Sequence, residues 1–243
     1  MAHQGPKPRI EPCPKRIRVL FHGKYIVDTL NAKLVWEHAY YPSYYFPVSD
    51  LSPTYLRETQ AATGEEGVKI YDLVVGDRHA KAAVKEFTGK GSGTEDLAGL
   101  LKVAFSVADA WLEEDEQIYV HPKDPYKRVD VLQSSRHVRV EINGVEVANT
   151  HKPRLLFETL LRVRTYIPLT DVRVDLLRPS DTTTQCPYKG VANYYNVELP
   201  NGEVHRDVVW YYRTAQPECG QITGFLAFYD EKVDVWVDGV KQQ

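Results

Sequence analysis

Nine residues, Thr182-Thr-Thr-Gln-Cys-Pro-Tyr-Lys-Gly190, bring three hydroxyls, a thiol, a phenol and an ammonium into one short stretch. Cys186 is a nucleophile if a cation, a histidine or a helix N-terminus lowers its pKa. Lys189, three residues on, can supply the charge. No histidine sits in the stretch, and a buried structural thiol beside a turn proline is the competing reading. Lys189 followed by Gly190 suits an anion, with charge from one and close backbone approach from the other. A turn carrying a surface lysine fits equally, and the residue order is not that of a phosphate-binding P-loop. Tyr188 offers a transferable proton. Thr183 and Thr184 can hold a polar ligand or alternate along a strand.

Other candidates lie on either side. Asp171 and Asp175 flank Val-Arg-Val, a spacing that puts both carboxylates on one face of a strand. Such a pair can do acid–base work, hold a divalent metal, or pair with Arg173 and Arg178. Glu158 follows an apolar triplet and recurs as Glu37, which favours a structural role in both places. In Val208-Val-Trp-Tyr-Tyr212, strand alternation sends Trp210 and Tyr211 to opposite faces, one to the core and one to a cleft. His121-Pro-Lys-Asp-Pro-Tyr-Lys-Arg-Val-Asp130 reads as a stiff connector whose charges would lock the parts on either side of it through Arg–carboxylate pairing, rather than as a metal site. A Gly-rich loop, Thr88–Asp96, reads as a flexible insertion.

The elements that would position these groups occur twice. Val19–Thr29 matches Val140–Thr150 at an offset of 121 residues. That offset holds onward, placing Glu37 over Glu158, Tyr45 over Tyr166, Pro47 over Pro168 and Asp50 over Asp171. A period this long, present twice, means duplicated domains. The boundaries read as a polar, flexible leader at 1–15, repeats at 16–130 and 131–238, and a tail at 239–243. Each repeat opens with a hairpin, and a later hairpin turns at Asn201–Gly202. Thr94–Trp111 has helical spacing with Thr94 as N-cap, and Glu218–Tyr229 reads as a shorter helix. The fold class is mainly β with short helices, as two tandem homologous small β-rich domains.

With these residues in view, 121–144 and 182–195 resemble the DUF427 family, also labelled a nucleotidyltransferase-like domain. The second stretch is similar to its motif T-T-x-C-P-Y/F-K-G-x-A-x-Y. The resemblance covers nearly all of 16–238. It implies a β-tent-like fold, similar to methionine sulfoxide reductase B and cereblon-like domains but without their paired zinc cysteines. It marks Asp171, Thr183, Thr184, Cys186, Tyr188, Lys189, Gly190, Tyr194, Trp210 and Tyr211 as recurrent positions. The first repeat departs from the motif, with Thr59–Leu73 in its place and no comparable thiol or lysine.

Bulk properties set the outer limits. The chain of 243 residues is 43% hydrophobic with a formal net charge of -3, and 16 residues are tyrosine. No nucleic-acid partner is expected from that balance. Three widely spaced cysteines form no disulfide framework and suit a reducing compartment. No apolar run has membrane-spanning length, and a cytoplasmic location follows. The leading reading is an enzyme acting on a small organic molecule in a polar–aromatic pocket mainly in the second repeat. Cys186, Lys189, Tyr188 and Asp171 would be catalytic; Thr183, Thr184, Tyr194, Trp210, Tyr211 and Glu158 would line the ligand. Isomerisation, elimination and hydrolysis fit without cofactor or metal. The alternatives are a non-catalytic module for a small molecule or modified peptide, or a nucleotide or anion binder. A homodimer stays open.

Overall fold

A computed structural model describes residues 8–59, 66–91 and 93–242. The chain divides into two units, Met1–Asp124 and Pro125–Gln243. The first contains β1 (Arg9–Pro12), β2 (Ile17–Phe21), β3 (Lys24–Thr29), β4 (Lys33–Trp36), β5 (Ser43–Pro47), β6 (Leu56–Glu58), β7 (Val68–Val75), β8 (Arg78–Phe87), β9 (Leu100–Val103), β10 (Ala110–Glu113) and β11 (Glu116–Ile118). The second contains β12 (Val129–Gln133), β13 (Val138–Ile142), β14 (Val145–Thr150), β15 (Arg154–Glu158), β16 (Arg164–Ile167), β17 (Leu177–Cys186), β18 (Gly190–Glu198), β19 (Val204–Ala215), β20 (Leu226–Phe228), β21 (Asp234–Val237) and β22 (Val240–Lys241). The helical segments among the described residues are all short 3-10 turns.

Each unit holds a seven-stranded and a four-stranded antiparallel sheet. The large sheets run β1-β4-β5-β9-β8-β7-β6 and β12-β15-β16-β20-β19-β18-β17; the small ones run β11-β10-β2-β3 and β14-β13-β21-β22. Topology is therefore duplicated strand for strand. The opening hairpins turn at His22–Gly23 and Asn143–Gly144, all four residues at positive φ. That geometry matches the right-handed twist of the flanking strands. Both hairpins carry a bulge at the same place, Val19/Leu20 and Val140/Glu141. A second shared device follows: Thr29 donates to Asp50 at 2.5 Å, and Thr150 to Asp171 at 2.6 Å.

The repeats begin earlier than sequence similarity shows. Residues 9–12 are not a leader but edge strand β1, paired with β4 as β12 is with β15. Met1–Lys7 lie outside the described residues. Val240 and Lys241, read as tail, pair with β21. The helix expected from Thr94 is absent: a 3-10 turn at Glu95–Leu97 leads into β9, another at Phe105–Val107 into β10. Gly99 sits at φ +77°, outside the helical region, and Leu100–Val103 alternates burial as strand β9 between β5 and β8. Pairing on both sides overrides a spacing that only resembles helix. The segment Pro217–Ile222 is likewise a 3-10 turn, followed by β20. In the Gly-rich loop Ser92 lies outside the described residues, as do 60–65 in the stretch standing for the motif.

Two apolar clusters line opposite faces of the second unit's large sheet. Val197, Val209, Leu226 and Phe228 pack with the small sheet's Val138, Val140 and Ile142. Tyr166, Ala192, Tyr194, Trp210, Tyr212 and Ala227 form the other cluster, with Val131, Cys219 and Ile222. The period of two along β18 and β19 produces that split. It sends the tyrosine-rich positions to the second face.

Candidate functional site

The hairpin β17–β18 carries the motif. Thr182–Cys186 is strand, Cys186 pairs with Gly190, and Pro187-Tyr188-Lys189 is the turn between them. Gly190 has φ +100°, and a Cβ there would stand 3.1 Å from the Thr214 carbonyl on β19. Only glycine meets both demands. The tight turn aims Lys189 back at β15, where its ammonium hydrogen-bonds Glu158 Oε2. Lys127 approaches the other oxygen at 3.3 Å and lies over the Tyr188 ring at 5.4 Å. Glu158 is buried, an expensive place for a carboxylate unless it is paired.

Beside this pair lies a tyrosine network. Thr184 Oγ1 and the Tyr194 hydroxyl are 2.8 Å apart, and Tyr194 and Tyr229 hydroxyls 3.4 Å. Trp210 Nε1 donates to the Tyr166 hydroxyl at 3.1 Å. The Arg164 guanidinium covers Trp210 and Tyr229 at 5.5 and 5.9 Å. Burial holds the Tyr166 and Tyr212 phenols protonated well past their ordinary range. Burial also pushes the Cys219 thiol up to about 11, although Lys189 pulls the other way. Cys186 is half-buried and lies within electrostatic reach of Cys219, Tyr166 and Tyr212.

The structure thus brings together Glu158, Tyr188, Lys189, Thr184, Cys186, Tyr194 and Trp210. It separates four other candidates. Tyr211 stacks on Tyr195 on the opposite face, centroids 4.8 Å apart. Thr183 lies one step out of phase with Thr184 along β17 and so on the opposite face of the strand. Asp171 and Asp175 do not share a strand face, because each sits in its own 3-10 turn. Asp171 accepts from Thr150 and Thr170, while Asp175 pairs with Arg173 at 2.6 Å. In the connector, Asp124 accepts from Trp36 Nε1 at 2.8 Å and His121 stacks on Tyr41, centroids 3.6 Å apart. Among the described residues no group of three or more His, Cys, Asp or Glu is placed to hold a metal.

Strand register locates the same face in the first unit. Phe46 pairs with Leu101 as Ile167 does with Leu226, so Lys102 and Ala227 occupy one position. Lys85 pairs with Lys102 as Trp210 does with Ala227, so Lys85 stands where Trp210 stands. Two residues on, Phe87 answers Tyr212. Glu37 keeps its lysine, but Lys102 on β9 supplies it and Tyr45 donates a second bond at 2.7 Å. Burial raises the Glu37 carboxyl, but the bonds from Lys102 and Tyr45 outweigh it and hold it below its ordinary value. Where the second unit is filled by Trp210 and tyrosines, the first is open. A cavity of about 790 Å³ is lined by Glu37, Tyr41, Tyr44, Tyr45, Phe87, Lys102, Phe105, Trp111 and His121, among others. Tyr44 donates to Glu113 at 2.7 Å at its edge.

The pattern of two equivalent units decides the family. The family model described as Domain of unknown function (DUF427) matches residues 9–114 and again 130–239. The chain is a two-copy member of the DUF427 family. The match brings the family and no activity. The second matched region of this DUF427 protein holds the Thr-Thr-Gln-Cys-Pro-Tyr-Lys-Gly motif; the first holds most of the cavity's lining. A search of curated proteins finds no match to it. No described helix is long and apolar enough to cross a membrane.

Proposed function

We propose that this DUF427 protein is a small-molecule-binding module whose ligand occupies the first-unit cavity. The observation that carries the reading is the cavity itself. Its volume of about 790 Å³ falls within the range of about 300–1,000 Å³ typical of small-molecule sites. Aromatic walls with a few fixed polar groups, here Glu37, Lys102 and His121, suit a flat organic molecule with one charged or polar end. Binding is favoured over catalysis by how the expected catalytic groups are engaged. Lys189 is paired to Glu158 and Asp171 to Thr150, and no general base hydrogen-bonds Cys186 among the described contacts.

The test is a thermal-shift screen of the whole protein against small aromatic acids and amines, followed by calorimetric titration of the hits. A ligand that binds only the folded state raises stability by about 2.7 kcal/mol at a hundred times Kd. Ala104→Phe fills the cavity from its wall and Lys102→Met removes the lining lysine that pairs with Glu37. Both variants should lose the hits while keeping the fold, and Cys186→Ser should keep them. Hits that survive both cavity variants and vanish in Cys186→Ser, with turnover detected, would return the assignment to an enzyme of the second unit.

A further inference from the structure

The two copies differ at positions that line the cavity. Ser43 pairs with Val35 as Arg164 pairs with Leu156. The Ala104 amide bonds the Ala83 carbonyl as the Tyr229 amide bonds the Val208 carbonyl. Ser43 and Ala104 therefore stand where the second unit has Arg164 and Tyr229, as Lys85 stands where it has Trp210. All three first-unit residues line the cavity. Their counterparts form one cluster of flat groups. The Trp210 and Tyr229 ring centroids are 4.6 Å apart, and the Arg164 guanidinium covers both rings. The second copy thus packs its own planar side chains at positions where the first has a serine, an alanine and an open volume. A planar guest suits that volume.

A second difference lies in the carboxylate. Both oxygens of Glu158 have a lysine. In the first copy Lys102 and Tyr45 both bond Glu37 Oε1, and Oε2 accepts no bond among the described residues. Glu37 is ionised, because those two bonds hold its carboxyl below its ordinary value against the effect of burial. An anionic guest would meet that carboxylate. A cationic guest would meet Lys102 and, directly opposite it in strand register, Lys85, and like charges at that spacing repel. A neutral ring carrying a donor avoids both penalties and gains a hydrogen bond to a charged acceptor. Resting on the reading that the first-unit cavity binds a small molecule, we propose that its ligand is an uncharged aromatic ring bearing an O–H or N–H, a phenol or an aromatic amine, that donates to Glu37 Oε2.

The test is a ligand-observed NMR titration of the full chain at neutral pH and fixed ionic strength. Phenol and aniline are compared with anisole, which has the ring without the donor, and with benzoate and benzylammonium, which carry charge. Anisole should bind about tenfold more weakly than phenol, the loss of one bond to a charged acceptor, and the two ions no better than anisole. Glu37→Gln should bring phenol down to the level of anisole while anisole binds as before. Ala104→Tyr, which supplies the second copy's ring, should abolish binding of every probe. Phenol and anisole binding equally, with both lost in Ala104→Tyr, would overturn the donor and leave the cavity as a site. Benzoate or benzylammonium binding more tightly than phenol would overturn the neutral ligand. No probe binding, or all of them surviving Ala104→Tyr, would overturn the cavity reading as well. Should Glu37→Gln fail to fold, the ratio of phenol to anisole affinity in the unaltered protein decides alone.

Discussion

Glu158 and Glu37 are one residue of the repeat in two environments. Each accepts a lysine, but from different elements: the β17–β18 turn in one case, β9 in the other. Conservation of the ion pair across a change of donor strand means the carboxylate position is the fixed point and the cation is recruited to it. The energetic weight differs. Glu158 is sealed between two lysines, whereas the Glu37 side chain is 40% exposed. Neutralising a buried partner strands its counter-charges and costs about 3–5 kcal/mol. A partly solvated pair is worth about 0–1 kcal/mol. Glu158→Gln should therefore destabilise the second unit several-fold more than Glu37→Gln destabilises the first. Urea unfolding read at a unit-specific tryptophan measures both. Equal losses would show that Glu158 is not the buried hub described.

At the level of elements, the β17–β18 hairpin and the β8–β9 connection depend on glycine for different reasons. Gly99 has φ +77° with nothing near a would-be Cβ, so Gly99→Ala meets backbone strain alone, about 1 kcal/mol. At Gly190 the same substitution meets a left-handed φ and the Thr214 carbonyl at 3.1 Å. It should cost roughly twice as much and lower the protection of the Gln216 amide, which bonds Lys189 O, in hydrogen exchange. A Gly190→Ala protein as stable as Gly99→Ala would place the turn elsewhere. The same elements show what the sequence could reveal. Hairpins with Asn-Gly or His-Gly turns, the 121-residue offset and the Trp210/Tyr211 alternation were all legible, because turn chemistry and period-two patterning are local. The Thr94 helix was misread, since pairing of β9 with β5 and β8 is non-local. Lys102 was missed because its equivalence to Ala227 exists only in strand register. Lys127 sat in a segment whose charges read as architectural. The bond of Asp171 to Thr150, repeated between Asp50 and Thr29, joins residues 21 apart and shows only in the fold.

For the molecule as a whole, duplication kept the topology and redistributed the chemistry. All buried residues of two clusters fall between Cys13 and Trp111, and all of the other two between Val131 and Val235. Each unit thus owns the core that a domain needs to fold. Aromatic bulk at Trp210, Tyr194 and Tyr212 fills a face that Lys85, Ile70 and Phe87 leave open, so one copy is packed where the other holds a cavity. Expressed separately, residues 1–124 and 125–243 should each unfold in one cooperative transition. Every residue lining the cavity lies between Pro8 and Pro122, so the first piece alone should bind the screened ligands with the affinity of the full chain. A folded first piece that binds nothing, while the full chain binds, would mean the cavity needs walls that its own unit does not provide, and the assignment of function to one copy would fail.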